Sequence, residues 1–279
     1  MDYQWYPGHM TKAVRQMKED IKLIDLVIEL LDARIPLSSR NPDIDNLSQN
    51  KSRLVLLNKS DLADENQNNK WVEYFESQNI TALKINSKNK QGIKDINDAV
   101  NIVCKEKIER NRRKGIINRP IRAMVVGIPN VGKSTFINAY AGKACAKTGN
   151  KPGVTKGKQW IRLNKGLELL DTPGILWPKF DDQTIGLNLA LIGSINDNIL
   201  DISELAFQLI KFLQIVYPES IKKRYNVNAE QETLDIMNDI AQVRGCKMKG
   251  NQLDLDKAAG IIIDDFRTGK LGRITLDRV

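Results

Sequence analysis

Three cysteines, Cys104, Cys145 and Cys246, are too few and too scattered to build a zinc site or a disulfide framework. Aromatic residues make up only 6% of the chain, which excludes a broad stacking platform for single-stranded nucleic acid. No apolar run reaches the roughly 18 residues of a membrane-spanning helix. The start, Met1-Asp2-Tyr3-Gln4-Trp5, lacks the charged-then-apolar order of a secretion signal, so a cytoplasmic location is expected. Internal repeats and low-complexity tracts are also missing. What is present is length: 279 residues suffice for two domains whose cores need no metal or disulfide staple. Hydrophobic residues at 41% and charged residues at 28% are ordinary for a globular chain.

The net charge of +9 is unevenly spread. Residues 1–179 carry 31 Lys and Arg against 19 Asp and Glu, whereas residues 180–279 carry 12 against 15. The asymmetry points to a polyanionic partner for the first two thirds, or to a solvated basic face.

Helical and strand patterns alternate up to about residue 178. A helix capped by Thr11 runs to about Lys22, with Val14, Met17 and Ile21 on one face. Leu26 to Leu31 and Leu54 to Leu57 read as buried strands. A helix near 66–78, a strand from Thr81 to Ile85 and a helix near 92–112 follow. Ala123 to Val126 is a fourth strand, running into a glycine turn and a helix near 133–141. Lys158 to Leu163 and Leu167 to Leu170 pair as a hairpin. Apolar strands alternating with helices imply a mostly parallel α/β sheet covered on both faces. From Trp177-Pro178 onward the pattern is helical, near 184–194, 201–216, 218–224, 229–243 and 255–268. The expected division is 1–178, α/β, and 179–279, all-α.

Gly127-Ile128-Pro129-Asn130-Val131-Gly132-Lys133-Ser134 fits G-x-x-x-x-G-K-S between a strand and a helix, the setting that gives the pattern meaning. Its backbone N–H groups can wrap phosphates, Lys133 can reach the β- and γ-phosphates, and Ser134 can hold Mg²⁺. Asp171-Thr172-Pro173-Gly174 ends a strand 38 residues after Lys133. Asp171 can hold the metal through water, and the Gly174 N–H can meet the γ-phosphate, which makes Lys133 and Gly174 candidates for the chemical step. Thr155 lies between the two motifs as the second Mg²⁺ ligand. Asn58-Lys59-Ser60-Asp61 ends another strand. The Asp61 carboxylate matches the guanine N1–H and 2-amino donors, which adenine lacks. Asn86-Ser87-Lys88 stands where a base-supporting element is expected.

These elements resemble the G motifs of TRAFAC-class GTPases in a changed order. The base motifs precede the phosphate motifs, as in a circular permutation. With Trp5-Tyr6-Pro7-Gly8-His9-Met10 and Asp32-Ala33-Arg34-Ile35-Pro36, the whole chain resembles the YlqF/YawG family of circularly permuted GTPases. The resemblance implies a permuted P-loop GTPase domain, mostly parallel with helices on both faces, and a helical C-terminal domain. It implies a GTP site of Asn58, Lys59, Ser60, Asp61, Asn86, Ser87, Asn130, Val131, Gly132, Lys133, Ser134, Thr135 and Gly174. It implies Mg²⁺ at Ser134, Thr155 and Asp171.

Ile175 follows D-x-x-G where many GTPases place a water-orienting Gln. The chain's single histidine, His9, then stands as a tentative catalytic residue; packing or RNA contact is its other reading. Asn130 stands at the position where related GTPases bind K⁺, or is simply a satisfied loop residue. Residues 105–122 hold eight Lys and Arg against two Glu, and 143–165 hold seven against no acid. The second stretch spans the first switch loop. Lys222-Lys223-Arg224 and Arg244 to Lys249 add basic sites in the tail. The expectation is a GTP-hydrolysing factor in late maturation of the large ribosomal subunit, stimulated by rRNA, with GTP and GDP as ligands and no DNA or membrane partner. Two rivals stand: a signalling switch with a protein partner, and an RNA-binding module that holds GTP without turnover.

Overall fold

Leu26–Asp32 (β1) is buried at all seven positions, as a central strand covered on both faces must be. The computed structural model describes residues 8–116, 119–145, 159–163, 166–177, 180 and 182–279. Before β1 runs Gly8–Asp20 (α1). After it come Asp43–Leu47 (α2), Ser52–Asn58 (β2), Glu65–Ser77 (α3) and Thr81–Lys84 (β3). Ile96–Val103 (α4), Lys105–Arg113 (α5), Ile121–Val126 (β4) and Lys133–Ala141 (α6) follow, then Gln159–Arg162 (β5) and Leu167–Asp171 (β6). The rest is helical: Gln183–Leu191 (α7), Ile202–Val216 (α8), Pro218–Tyr225 (α9), Thr233–Val243 (α10) and Leu255–Arg267 (α11).

The sheet order is β3-β2-β1-β4-β6-β5. All pairs are parallel except the β5–β6 hairpin. The chain works outward from β1 in one direction through β2 and β3, and in the other through β4, β6 and β5. Strand order therefore reverses at β1 and β4, and the crevice beyond their carboxyl ends is where such sheets bind ligands.

Three expectations are corrected. Thr11 lies inside α1, which already starts at Gly8. The helix near 92–112 is two helices meeting at Cys104, whose φ of −101° and ψ of 9° leave the helical region. The Val103 carbonyl there accepts from Ser52 Oγ at 2.8 Å, a bond that draws the chain onto β2. Arg224 and Arg244 are not open basic sites: Arg224 forks onto Asp265 at 2.8 and 2.9 Å, and Arg244 lies over the Tyr225 ring. Lys222, Lys223, Lys247 and Lys249 do remain exposed.

The helical part shares its core with the sheet. One buried cluster runs from Leu26, Leu54 and Val125 through Leu189 and Leu205 to Ile262, Phe266 and Leu276. The final residues return to the α/β part. Ile274 N–H donates to Leu62 O at 3.0 Å and Leu276 N–H to Arg34 O at 2.8 Å. The Asp277 carboxylate accepts from the Ser38 amide and hydroxyl and from Asn188 on α7.

Candidate functional site

β4 delivers the chain into the loop 127–132, and α6 begins at Lys133. Gly132 sits at φ +98°, and a Cβ there would come 2.6 Å from Asn58 Nδ2. Glycine therefore meets both the left-handed backbone and the close approach. The loop curls over the N-terminus of α6, whose first N–H groups are free of helix partners. Lys133 Nζ donates to the Gly127 and Ile128 carbonyls, both at 2.9 Å. Burial pulls its pKa down to about 8, against the pull of Asp171.

Asp171 ends β6 beside this lysine. Burial raises its pKa, while Lys133 and the Thr172 amide oppose the shift. Its Oδ1 is buried and has no hydrogen-bond partner. Gly174 touches the loop: a Cβ would lie 2.8 Å from the backbone of Pro129 and 3.0 Å from Lys133 Nζ. An anionic oxygen short of partners beside Lys133, the first residue of α6, with Ser134 next in that first turn, suits Mg²⁺. That ion takes one or two protein oxygens and fills its shell with phosphate and water.

On the other side, Asn58 ties three motifs together. Its Nδ2 donates to Val131 O at 2.9 Å, and its Oδ1 accepts from the Ser87 amide at 3.0 Å and hydroxyl at 2.8 Å. Lys59, at φ +59°, sends Nζ to Asn130 O at 2.9 Å and Asp32 Oδ2 at 3.0 Å. Ser60 Oγ donates to Ile85 O, and Asn86 Oδ1 accepts from the Lys88 and Asn89 amides. Asp61 is exposed. A cleft of about 830 Å³ opens here, lined by Asn58, Lys59, Asp61, Asn86, Ser87, Gly132 and Thr135. The two base motifs and the phosphate loop thus share one cleft despite their separation in sequence.

The sequence names Asp32 and Arg34 only as part of a motif, without a role, and misses other residues of this region. Asp32 is fully buried and receives Arg34 Nε at 2.9 Å and NH2 at 2.8 Å besides Lys59. Burial opposes its charge, yet Arg34 and Lys59 outweigh burial and hold the carboxyl below the ordinary range. Asp32 fixes Lys59 against the phosphate loop, which gives the Asp32-Ala33-Arg34 run a physical reason. Arg267 and Thr268, at the end of α11, also line the cleft. Ser194 Oγ donates to Pro129 O at 2.7 Å, and Asn130 Nδ2 to Gly193 O at 2.5 Å. Nothing local in the sequence marks Ser194 or Arg267.

Ile175 turns away from the site. It is 4% exposed and packs with Met17, Ile44 and Leu170. Val14 and Met17 of α1 join the same cluster, so α1, which carries His9, lies against the segment after D-x-x-G. The His9 side chain and Thr155 lie outside the described residues, as do Lys147, Lys151, Lys156 and Lys158.

The family described as "50S ribosome-binding GTPase" matches residues 122–241, from β4 into the helical part. That match begins after the base motifs, as permutation requires. The protein named Ribosome biogenesis GTPase A from Bacillus cereus is 50% identical over 278 residues, 99% of this chain and 94% of its own. The Thermotoga maritima protein of the same name is 33% identical over 280 residues, 98% of this chain and 94% of its own. Among solved structures, GNP-bound YlqF from T. maritima aligns with a TM-score of 0.68 at 28% identity, covering 96% of this chain and 98% of that one. A GDP-bound YlqF structure gives the same TM-score and identity over 95% and 99%. Motif order, sheet topology and full-length similarity agree: the chain is a GTPase and belongs to the ribosome biogenesis GTPase A family, the YlqF group of circularly permuted GTPases.

Proposed function

We propose that this GTPase acts in late maturation of the large ribosomal subunit, with rRNA of that subunit stimulating hydrolysis. The observation that carries the reading is the single cleft that joins Asn58–Asp61, Asn86–Ser87 and the loop before Lys133. In that cleft Asp61 reads the guanine edge, and the Lys59 stem covers the base. The loop amides and Lys133 hold the phosphates, with Val131, Gly132 and Thr135 beside them, and Gly174 meets the γ-phosphate. Ser134 and Thr155 would hold Mg²⁺, with Asp171 reaching it through water. The orphaned Asp171 oxygen supports that set. When bound, the metal neutralises charge developing on the phosphates.

Buried Ile175 leaves the attacking water to other groups. His9 is assigned to it, because α1 packs beside the D-x-x-G segment. K⁺ near Asn130 Oδ1 supplies further positive charge. Its Nδ2 is engaged by Gly193 and leaves that oxygen for an ion.

The RNA side is supported by α5 and the residue that follows it, where Lys105, Arg110, Arg112, Arg113 and Lys114 are exposed. Such a face binds phosphates with affinity that falls steeply in salt. Residues 1–178 and 179–279 are taken as the GTPase and RNA-interaction parts, working in the cytoplasm.

GTP turnover with and without purified large subunits tests the reading. Stimulation that fades with salt is expected. GTP binding with no turnover on subunits would leave an RNA-binding module. Absence of any subunit or rRNA binding would favour a signalling switch. His9→Ala should lower stimulated hydrolysis about 10²–10⁴-fold while GTP affinity holds.

A further inference from the structure

The phosphate loop is gripped from behind by the helical part. Ser194 is fully buried, and its hydroxyl donates to Pro129 O at 2.7 Å. One residue earlier, Gly193 O receives the Asn130 side-chain amide. The turn is itself anchored: the Gly193 amide donates to Ala190 O at 3.0 Å and the Ser194 amide to Leu189 O at 2.9 Å. Gly193 stands at φ +78°, and a Cβ there would come 3.3 Å from Arg267 Cζ.

Arg267 braces this turn. Its Nε donates to Leu191 O at 2.9 Å and its NH2 to Ala190 O at 2.8 Å. Its guanidinium also forks onto Asp197, at 2.7 and 2.8 Å. The same residue borders the base cleft together with Thr268. Its backbone carbonyl accepts from Arg34 NH1 at 3.4 Å, and Arg34 forks onto the Asp32 that holds Lys59. Base side and phosphate side are therefore both tied to one arginine at the end of α11.

We propose that Ser194 and Arg267 are positioning residues of the nucleotide site. They hold the Gly193–Ser194 turn so that Pro129 and Asn130 keep the phosphate loop in its binding shape. The inference rests on reading 127–134 as the phosphate loop. A guanidinium fork fixes geometry in a way a lysine ammonium does not. Pro129 O would lose its buried donor if Ser194 lost its hydroxyl, and an unmet buried carbonyl is costly. The loop would then shift toward another partner, away from the shape that receives phosphate. By linkage, nucleotide binding must in turn tighten the turn.

The test uses the full chain. KM for GTP, kcat and release of a fluorescent GDP are measured for wild type, Ser194→Ala, Arg267→Lys and a control, Leu209→Ala. Leu209 is buried in α8 and touches none of these groups by hydrogen bond. Ser194→Ala and Arg267→Lys should each raise KM and speed GDP release about tenfold, the effect of one lost buried hydrogen bond. Leu209→Ala should lower the melting temperature at least as much and leave KM within about twofold. Equal KM in all four proteins overturns the proposal, as does an equal KM rise in the control. Should a variant not fold, hydrogen exchange on wild type decides. Amides 193 and 194 should exchange about tenfold more slowly with GDP bound, and unchanged exchange counts against the proposal. Wild type that binds no GDP would instead refute the reading of the phosphate loop itself.

Discussion

The base side and the phosphate side of the cleft are built in opposite ways. On the base side, Asn58 spends both ends of its amide within the protein, and Lys59 is held by Asp32 and Asn130. Apart from exposed Asp61 and the buried Asn86 Nδ2, a neutral amide nitrogen without a partner, the polar groups named there are matched before any ligand arrives. On the phosphate side, Lys133 folds back on carbonyls with its pKa lowered to about 8, and Asp171 keeps an unmatched buried oxygen. Matched groups make a rigid template for selection. Charges that meet only neutral carbonyls, as Lys133 does, or no partner, as Asp171 Oδ1 does, suit a site completed by phosphate and metal. On the proposed reading, the difference means that base selectivity is stored in the fold, while charge balance is supplied by the nucleotide.

Breaking the phosphate side should have the largest effect. Lys133→Ala removes the charge proposed to meet the β- and γ-phosphates and should weaken GTP about 10²–10⁴-fold, read by equilibrium titration. Survival of GTP binding would refute the loop assignment. Asp171→Asn comes next: it should raise the Mg²⁺ concentration needed for turnover about tenfold or more, while relieving the buried charge in the free protein. A slightly higher melting temperature without nucleotide should accompany the loss. Equal Mg²⁺ dependence would remove Asp171 from the metal site.

On the base side, Asn58→Ala should act on stability first. It strands the Val131 carbonyl and the Ser87 donors, an expected loss of about 2–4 kcal/mol in urea unfolding. No loss would mean these groups find other partners.

The smallest effect is in pH. The free-protein pKa of Lys133, about 8, lies below its unfolded value, because burial disfavours the charge. The fold therefore carries a penalty below about pH 8, relieved as pH rises toward 10.5. Phosphate favours the charged form, so nucleotide binding draws in a proton above pH 8. GDP affinity should fall up to about tenfold per unit there. Calorimetry in two buffers of different ionisation enthalpy reads that uptake, and none between about pH 8.5 and 9.5 would contradict the lowering of the lysine's pKa by burial.

How much was legible follows the same divide between local and distant. Each motif is a short run at a strand end, so Asn58–Asp61, Gly127–Ser134 and Asp171–Gly174 could be read, and four strands and a hairpin set the six-stranded sheet. The break at Cys104 depends on Ser52, a partner from another strand, and no helical periodicity marks it. Arg267 reaches the cleft only because α11 packs across α8 and returns the chain's end to Leu62 and Arg34. Its importance lies in contacts 76 and 77 residues away in sequence, to Leu191 and Ala190. The helical tail reads as a separate unit from its pattern, yet its core runs on into the sheet. Deleting residues 180–279 would therefore strip part of the core as well as the tail.

The account's central claim is that motifs in permuted order assemble one guanine nucleotide site. The direct measurement is the affinity of wild type and Asp61→Asn for GTP and for xanthosine triphosphate, whose 2-oxo group replaces the 2-amino donor. On the proposed reading the Asp61 carboxylate meets two guanine donors, and an amide would suit the xanthine edge better. The account predicts that Asp61→Asn weakens GTP about 10²-fold or more and reverses the preference in favour of the xanthine nucleotide. Unchanged preference for GTP in the variant would show that guanine is read elsewhere and that the base and phosphate motifs do not form one site.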